Sequence, residues 1–249
     1  MMKRVSVIIV NWNVAKSLER CLSSVWATKY PDLEVIVIDN ASQVKLKVDK
    51  NIKFIQNSQN LGFPKAVNQG LKRSSGDYLL ILNPDTRLPK DFFVQAIQFI
   101  KAHPDAAVFG PKFVNPDGTD QGSVFNEPSI FGSNQKYTPA TVEEAFAVSG
   151  ACLFLPKSTI AKIGYLTEEV FMYYEDLDYC RRIHKAGLKV YFSPDLVIIH
   201  EHGSSARQNP KTSDWRGELW KSSLWYNGTI KHYLMWLVSW VGQKLGVKS

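Results

Sequence analysis

Apolar runs that alternate with amphipathic segments constrain the fold of this chain most strongly. The runs of strand length are Val5–Val10, Leu33–Ile38, Lys53–Ile55 and Tyr78–Leu82. Segments with apolar residues at helical spacing are Ala15–Ala27, Gly62–Leu71 and Pro89–Ala102. Strands that alternate with helices predict a mostly parallel sheet with helices on both faces. We therefore expect an α/β fold with a doubly wound sheet.

The second half of the sequence is less regular. Asn115–Ala140 is rich in Gly, Ser, Asn and Pro, which predicts a long surface loop, and the apolar stretch Ala145–Leu155 is expected to return to the sheet. Further helices are predicted at Lys157–Ile163 and Leu177–Lys185, and further strands at Val190–Phe192 and Leu196–Ile199.

Composition excludes several classes of protein. The 249 residues are 45% hydrophobic and 21% charged, which is ordinary for a globular chain. The net charge of +7 can indicate nucleic acid, anionic lipid or phosphorylated substrates, of which nucleic acid is the weakest. The three cysteines are far apart, so a disulfide framework or zinc site is not expected and a reducing compartment is. No stretch of ~20 apolar residues occurs, so we expect no transmembrane helix and a cytoplasmic protein. No motif typical of nucleic-acid binding accompanies the positive charge.

Polar residues follow the predicted strands. Ligands of doubly wound sheets bind beyond the carboxyl ends of the strands, where Asn11, Asp39, Asn83 and Asp85 are expected. A carboxylate at such a strand end suits Mg²⁺ or Mn²⁺ held against a diphosphate, and Asp85 is the candidate. The alternative is a simple turn, since Asn-Pro-Asp is favourable turn chemistry. Asp39 also has two interpretations. It could accept a hydrogen bond from a base or ribose, or it could simply form a turn.

Two more positions carry candidate ligand chemistry. His200 follows an apolar run, and an imidazole beside carboxylate and phosphate oxygens suits Mn²⁺. His202 lies on the same strand face if the strand continues, so either histidine could be the ligand. Gly62 begins a predicted helix, where backbone N–H groups could meet phosphate. No dinucleotide-binding or P-loop motif is present.

The segment FMYYEDLDYCRRIHKAG places three carboxylates after a rim of bulky apolar residues. Burial raises the pKa of a carboxyl group, as a general base requires, so Glu175, Asp176 and Asp178 are candidates. The alternative is structural, because acidic residues favour helix N-termini and Asp178 with Arg182 forms an ordinary i,i+4 pair.

The C-terminal segment Trp215–Ser249 contains five of the seven tryptophans together with several lysines. Tryptophan belts and basic flanks favour contact with a membrane surface through an interfacial helix. A helix packed on its own domain and a dimer contact are the alternatives. The first interpretation would place the protein at the inner face of the membrane.

Seven motifs occur in a characteristic order and spacing: VSVIIVNWN, VIVIDNAS, NLGFPKAVNQG, YLLILNPDT, VSGACLFLPK, FMYYEDLDYCRRIHKAG and VIIHEHGSS. In this order they resemble the motifs of glycosyltransferase family 2, most closely its rhamnosyltransferase-like members with the GT-A fold. The resemblance covers Val5 to Ser205. It implies a GT-A domain over residues 1–205, with a nucleotide-binding half at 1–110 and an acceptor and catalytic half at 111–205. A helical tail follows at 206–249.

The resemblance also implies a role for individual residues. The nucleotide-sugar donor would be bound by Asn11, Asp39, Asn60, Gly62 and Asn83. Asp85 and His200 would hold Mn²⁺ or Mg²⁺, Asp176 would be the general base, and Glu175 and Asp178 would position the acceptor or the helix.

The sequence departs from the family pattern at three places. Asn83 replaces the first acid of the D-x-D motif, Leu166-Thr167-Glu168 replaces an aromatic-Asp-Glu triplet, and Q-x-x-R-W is absent, which argues against a processive synthase.

We predict an inverting, metal-dependent transfer, with dTDP-rhamnose as the leading donor and a glycan or lipid-linked glycan as acceptor. A nucleotidyltransferase and a catalytically silent nucleotide-binding or membrane-scaffold protein are the competing hypotheses.

Overall fold

The computed structural model describes residues 3–130, 136–201 and 215–244. Within them the helices are Ala15–Ala27 (α1), Phe63–Arg73 (α2), Phe92–Ala102 (α3), Lys157–Ile163 (α4), Glu175–Lys185 (α5), Trp215–Asn227 (α6) and Thr229–Lys244 (α7). The longer strands are Val5–Asn11 (β1), Leu33–Asp39 (β2), Ile52–Gln56 (β3), Tyr78–Leu82 (β4), Ala106–Val114 (β6), Cys152–Pro156 (β10) and Lys189–His200 (β11). Two-residue strands are Thr86–Arg87 (β5), Val124–Phe125 (β7), Glu143–Glu144 (β8) and Ala147–Val148 (β9).

One mixed sheet organises the chain, in the order β3-β2-β1-β4-β10-β6-β11-β5 with β8 beside β11. The pairs among β1 to β4 are parallel, as is β6 with β11, whereas β10 runs antiparallel between β4 and β6. Apolar cores lie on both faces, and every residue of β1 is buried. The predicted α/β fold with a mostly parallel, doubly wound sheet and a helical C-terminal segment is confirmed.

Strand β11 replaces two predicted strands. It runs unbroken from Lys189 to His200, and its register against β6 shifts between Ser193 and Val197. Pro194 lies within the strand and cannot donate to a ladder, and the register shift at this point accommodates it as a β-bulge. The continuous strand carries His200 to the edge where it pairs with Thr86 of β5.

Helix α5 begins at Glu175, two residues earlier than predicted. The two preceding residues, Tyr173 and Tyr174, have φ values of 70° and 66°, and Tyr174 O accepts the first helical hydrogen bond from Asp178 N at 2.9 Å. A left-handed conformation costs a bulky residue about 1–3 kcal/mol. The strained turn brings Glu175 and Asp176 into the first helical turn, and such strain is typical of functional sites.

The predicted surface loop at 115–140 contains more structure than expected. Strand β7 lies within it and pairs with β9, and Val124 also pairs with Tyr137. Apolar Val124 is fully buried, which explains why this polar segment is held against the domain.

Replacing Gly62 by alanine is expected to destabilise the protein by ~2 kcal/mol or more. Gly62 has a φ of +83°, and a Cβ atom there would lie 2.5 Å from the carbonyl oxygen of Phe171. Gly118 is the matched control, because its φ is +85° but no atom lies within 4 Å of its added Cβ. Urea unfolding should show a clearly larger loss for Gly62→Ala than for Gly118→Ala. Equal losses would show that the contact with Phe171 contributes nothing.

Candidate active site

A cavity of about 850 Å³ opens at the carboxyl edge of the sheet, between the strand ends, the start of α5 and the two C-terminal helices. It brings together six of the residues predicted from the sequence. These are Asn60, Asn83, Asp85, Glu175, Asp176 and His200. The sequence motifs are therefore gathered into one site, although they are up to 140 residues apart (from 60 to 200).

Asp85 and His200 form one side of the cavity. The carboxylate Oδ1 of Asp85 lies 3.4 Å from Nε2 of His200, and the side chains are 9% and 6% exposed. The pairing of β5 with β11 fixes both residues, as does the hydrogen bond of 2.8 Å from Glu201 N to Asp85 O. His202, the alternative to His200, lies outside the described residues.

The pair fits a divalent cation as a partial set of ligands. Asp85 and His200 both line the cavity, and a carboxylate oxygen and an imidazole nitrogen are ligands that Mn²⁺ accepts. Phosphate oxygens and water suit the remaining coordination positions. Among the described residues no group of three or more His, Cys, Asp or Glu side chains could hold an ion by itself. Such an arrangement needs a ligand to complete the coordination shell.

Asp176 lies at the start of α5 in the same cavity and is 8% exposed. Its Oδ2 accepts a hydrogen bond from Gly150 N at 2.9 Å, and its Oδ1 accepts one from Leu177 N at 2.9 Å. Burial raises the pKa of Asp176, while the Gly150 N–H and the nearby Lys136 oppose the shift. A Cβ atom on Gly150 would lie 3.3 Å from the Cβ of Asp176, so this glycine lets the carboxylate sit close to the backbone.

Glu175 is the second buried carboxyl group of the cavity. It is 7% exposed, and its Oε2 has no hydrogen-bond partner among the described residues. Burial, and then the charge of Asp176, raises the pKa of Glu175 to about 8. A carboxyl group with this pKa carries its proton at neutral pH, whereas Asp176 has two N–H donors that favour its charged form.

The stability of the protein should depend on pH through Glu175. Its folded-state pKa lies above the unfolded value of 4.5, so the folded state binds more protons between pH 4.5 and about 8, and stability falls as the pH rises through this window. Glu175→Gln mimics the protonated form. We expect the unfolding free energy of the variant to equal that of the wild type at pH 4.5. Above pH 8 it should be higher than that of the wild type by a few kcal/mol, on the order of 1.4 kcal/mol per unit of pKa shift. Thermal melts from pH 4.5 to 9 would measure this; a constant difference across the range would contradict it.

Asn11 and Asp39 are fully buried and do not line the cavity. Asp39 accepts hydrogen bonds from the Asn11 amide at 2.7 Å, the Ser42 hydroxyl at 2.5 Å and the Gln56 amide at 2.6 Å. The next residue, Asn40, lines the cavity instead and donates to Asn60 Oδ1 at 2.7 Å. Asp39 therefore organises the strand ends beneath the surface that a ligand would touch.

Gly62 also differs from the expectation. Its N–H donates to Asn60 Oδ1 at 3.0 Å, and the next N–H, of Phe63, donates to Phe171 O at 2.8 Å. These groups satisfy protein acceptors, and Gly62 itself does not line the cavity. Its small size instead allows the Phe171 loop to pack against the start of α2.

Asp178 does not line the cavity, and of its two predicted roles, positioning the acceptor or positioning the helix, its contacts favour the second. Its carboxylate contacts Arg182 at 2.8 Å and Arg181 at 3.4 Å. Arg182 also donates to the backbone oxygens of Ile163 and Tyr165, both at 2.9 Å. The ion pair joins α5 to the end of α4, because the i,i+4 spacing turns Asp178 along the helix and away from the cavity.

Several cavity residues were not predicted. Trp12 follows β1, and Trp215 and Trp236 come from the C-terminal helices. Lys136 lies near Asp176, and its ammonium is 4.8 Å from the Phe125 ring centroid. Burial lowers the pKa of Lys136. A single lysine in a polar loop gives no local signal. The C-terminal tryptophans suggested contact with a membrane surface, with their own domain or with a second copy, but not with this cavity.

The chain has the GT-A fold. Its cavity at the carboxyl edge of the doubly wound sheet is lined by the buried Asp176 and by the Asp85–His200 pair. The sequence model described as "Glycosyl transferase family 2" matches residues 6–160. The chain belongs to this family and is a glycosyltransferase.

Two curated relatives and one solved structure illustrate the similarity. The hexosyltransferase Agl10 of low-salt glycan biosynthesis in Haloferax volcanii is 26% identical over 218 residues, which cover 80% of this chain and 68% of the relative. The N-acetylglucosaminyl-diphospho-decaprenol L-rhamnosyltransferase of Mycobacterium tuberculosis is 24% identical over 239 residues, which cover 82% and 78%. The crystal structure of GalNAc-T7 with UDP, GalNAc and Mn²⁺ superposes with a TM-score of 0.65 at 16% identity, covering 80% of this chain and 43% of that chain.

Proposed function

We propose that the protein catalyses an inverting, metal-assisted transfer of a sugar from a nucleotide-sugar to a hydroxyl group of a glycan or lipid-linked glycan. The observation that carries this proposal is the position of Asp176. Its carboxylate is buried, oriented by two N–H groups and placed in the same cavity as Asp85 and His200. The cavity thus has a candidate base and a candidate diphosphate site.

Asp176 acts as the general base. It removes the proton of the acceptor hydroxyl while the acceptor oxygen forms a bond to the anomeric carbon. The bond from that carbon to the diphosphate oxygen breaks, and the electron pair leaves with the nucleoside diphosphate. A single displacement of this kind inverts the configuration of the anomeric carbon. Glu175, protonated beside Asp176, is suited to donate a hydrogen bond to the acceptor.

Asp85 and His200 would hold the divalent cation, Mn²⁺ or Mg²⁺. When bound, the cation supplies Lewis-acid stabilisation of the negative charge on the leaving diphosphate. Asn40, Asn60 and Trp12 form the part of the cavity suited to the nucleotide, supported from beneath by Asn11 and Asp39. This assignment retains the division into a nucleotide-binding half at 1–110 and an acceptor half at 111–205, although the strands of both halves share one sheet.

The leading donor is dTDP-rhamnose, with UDP-hexoses second. The name of the mycobacterial relative supports rhamnose, and that of the Haloferax relative supports a hexose. We expect the purified protein with Mn²⁺ and an N-acetylglucosaminyl-diphospho-polyprenol acceptor to release nucleoside diphosphate from one of these donors. Failure to release it from any donor of the panel would contradict the assignment of donor and acceptor class.

The competing hypotheses predict different products. A nucleotidyltransferase supplied with a sugar phosphate and a nucleoside triphosphate would form a nucleotide-sugar and release pyrophosphate. A silent nucleotide-binding protein would bind the donor without transfer or hydrolysis. The buried Asp176, in the same cavity as the Asp85–His200 pair, favours the transferase, because a binding protein gains nothing from an oriented base.

A lipid-linked acceptor is supported by the C-terminal helices. Trp215, Leu219, Met235 and Trp236 line the cavity, so its apolar wall continues from the catalytic carboxylates to α6 and α7. The outer side of α7 exposes large apolar residues. They include Ile230, Tyr233, Leu237 and Trp240, each more than half exposed. In the described residues no helix is long and apolar enough to cross a membrane.

We therefore expect α7 to bind a membrane surface at the cytoplasmic face. Wild-type protein should co-sediment with vesicles of phosphatidylethanolamine and phosphatidylglycerol, and the double variant Leu237→Glu, Trp240→Glu should not, because it places two charges at the apolar boundary. Val44→Glu is the matched control, since Val44 is an apolar residue exposed to 72% elsewhere on the domain. Equal pelleting of all three proteins would contradict membrane contact through α7.

A further inference from the structure

A chain of side-chain hydrogen bonds leads from the turn after β6 to His200. Asp117 Oδ1 accepts from the Thr119 hydroxyl at 2.6 Å, and Thr119 Oγ1 accepts from the Asn115 amide at 2.8 Å. Asn115 Oδ1 accepts from the Gln121 amide at 2.7 Å. Gln121 Oε1 then lies 3.0 Å from Nδ1 of His200.

Asp117, at the end of this series far from His200, fixes the direction of each hydrogen bond in it. A charged carboxylate such as Asp117 can accept but not donate, so the Thr119 hydroxyl must donate to it and accept from Asn115. The Asn115 oxygen is thereby left to accept from Gln121. The Gln121 nitrogen also donates to the backbone oxygen of His200, so two acceptors hold this amide in one orientation.

The oxygen of the Gln121 side chain therefore faces His200, and Nδ1 of His200 must carry a hydrogen. The other ring nitrogen, Nε2, is the one that lies 3.4 Å from Asp85. A neutral imidazole carries one hydrogen, so a hydrogen on Nδ1 leaves a lone pair on Nε2 for a metal ion. Phe113 packs against the ring, with centroids 5.4 Å apart, and limits its rotation.

The surrounding turn makes Gln121 a rigid partner. Asn115 N donates to Thr119 O at 2.8 Å, Gly118 N donates to Asn115 O at 2.9 Å, and Gln121 N donates to Phe113 O at 3.2 Å. Asn-Pro-Asp-Gly is a favourable turn sequence, so the chain of side chains is built on a locally stable backbone. None of these residues lines the cavity, and none was a candidate from the sequence.

We propose that Gln121 is a positioning residue that fixes His200 in the Nδ1–H tautomer and so presents Nε2 to the divalent cation beside Asp85. The inference rests on the proposed metal site, but its structural part concerns the tautomer alone. Without the Gln121 oxygen, a hydrogen on Nε2 can be donated to Asp85, and this tautomer blocks metal binding. Outer-sphere partners of this kind typically change metal affinity by about 10–100-fold when they are lost.

The tautomer can be measured directly on the full chain labelled with ¹⁵N-histidine, without metal or donor. Long-range ¹H–¹⁵N spectra at pH 8.5 distinguish Nδ1–H from Nε2–H, and a His200→Gln spectrum assigns the signals. We expect Nδ1–H in the wild type and Nε2–H as the main form in Gln121→Leu. Gln121→Glu keeps an acceptor for Nδ1 and should retain the wild-type tautomer.

Calorimetric titration with Mn²⁺ and a nucleoside diphosphate gives the functional readout. Gln121→Leu should bind Mn²⁺ about 10–100-fold more weakly, whereas the control Gln98→Leu, on the exposed face of α3, should match the wild type. An Nε2–H tautomer in the wild type would overturn the proposal even if Gln121→Leu did not fold. Unchanged Mn²⁺ affinity in a folded Gln121→Leu would also overturn it. If the wild type bound no Mn²⁺ but showed Nδ1–H, the metal assignment would fail while the role of Gln121 in the tautomer stood.

Discussion

Replacing Asp176 by asparagine is expected to lower kcat by about 10²–10⁴-fold, because the acceptor hydroxyl loses its general base. The amide has nearly the shape of the carboxylate but no basic oxygen. One of the two N–H groups that now donate to Asp176, from Gly150 and Leu177, must also lose its partner, so a modest loss of stability is expected. Donor affinity should change little. Steady-state kinetics with varied donor, together with a thermal melt, would separate these effects.

Asp178→Asn is the matched control for this variant. It removes a carboxylate from the same helix, two residues away, but one that pairs with Arg181 and Arg182 outside the cavity. We expect Asp178→Asn to lower the melting temperature while keeping kcat within a few-fold of the wild type. Turnover that survives in Asp176→Asn would show that another group is the base, with Glu175 as the next candidate.

Replacing Asp85 by alanine is expected to lower kcat/KM by about 10²–10³-fold, since Lewis-acid stabilisation of a leaving group is worth several kcal/mol. The loss should be accompanied by a requirement for much higher Mn²⁺ concentrations. Rates measured across a Mn²⁺ titration would show this shift. This expectation rests on the 3.4 Å contact between Asp85 and His200. Asp85 is one of the two side chains proposed to hold the cation, so its loss removes one of the two protein ligands.

Asp195→Ala controls for the loss of an acidic residue, because Asp195 is exposed on β11, the strand that also carries His200. It should leave both kcat/KM and the Mn²⁺ dependence unchanged. An Asp85→Ala enzyme with the wild-type Mn²⁺ dependence would remove Asp85 from the metal site.

The sheet and the outline of the site could be predicted from the sequence because both depend on local patterns. The apolar run that became β1 is buried along its whole length, and buried runs of this length have few other solutions. Asp85, Asp176 and His200 became candidates because each follows an apolar or aromatic segment, and all three line one cavity. Sheet topology then brings strand ends together without any further information.

The parts that could not be predicted depend on contacts between distant segments. Asp39 lies at a strand end like Asp85, yet Ser42 and Gln56 satisfy its oxygens and bury it. Nothing in the sequence shows that Lys136 lies near Asp176, or that β10 enters the sheet between β4 and β6. Asp178 had two interpretations, and the three-dimensional positions of Ile163 and Tyr165 decide for the structural one.

Calorimetric titration with dTDP and UDP, with and without Mn²⁺, tests most directly the claim that the cavity is a metal-dependent nucleotide-sugar site. The account predicts binding of at least one of the two nucleotides at a single site, strengthened by Mn²⁺ and weakened in Asp85→Ala, and the preferred base identifies the donor class. Folded wild-type protein that bound neither nucleotide in the presence of Mn²⁺ would contradict it.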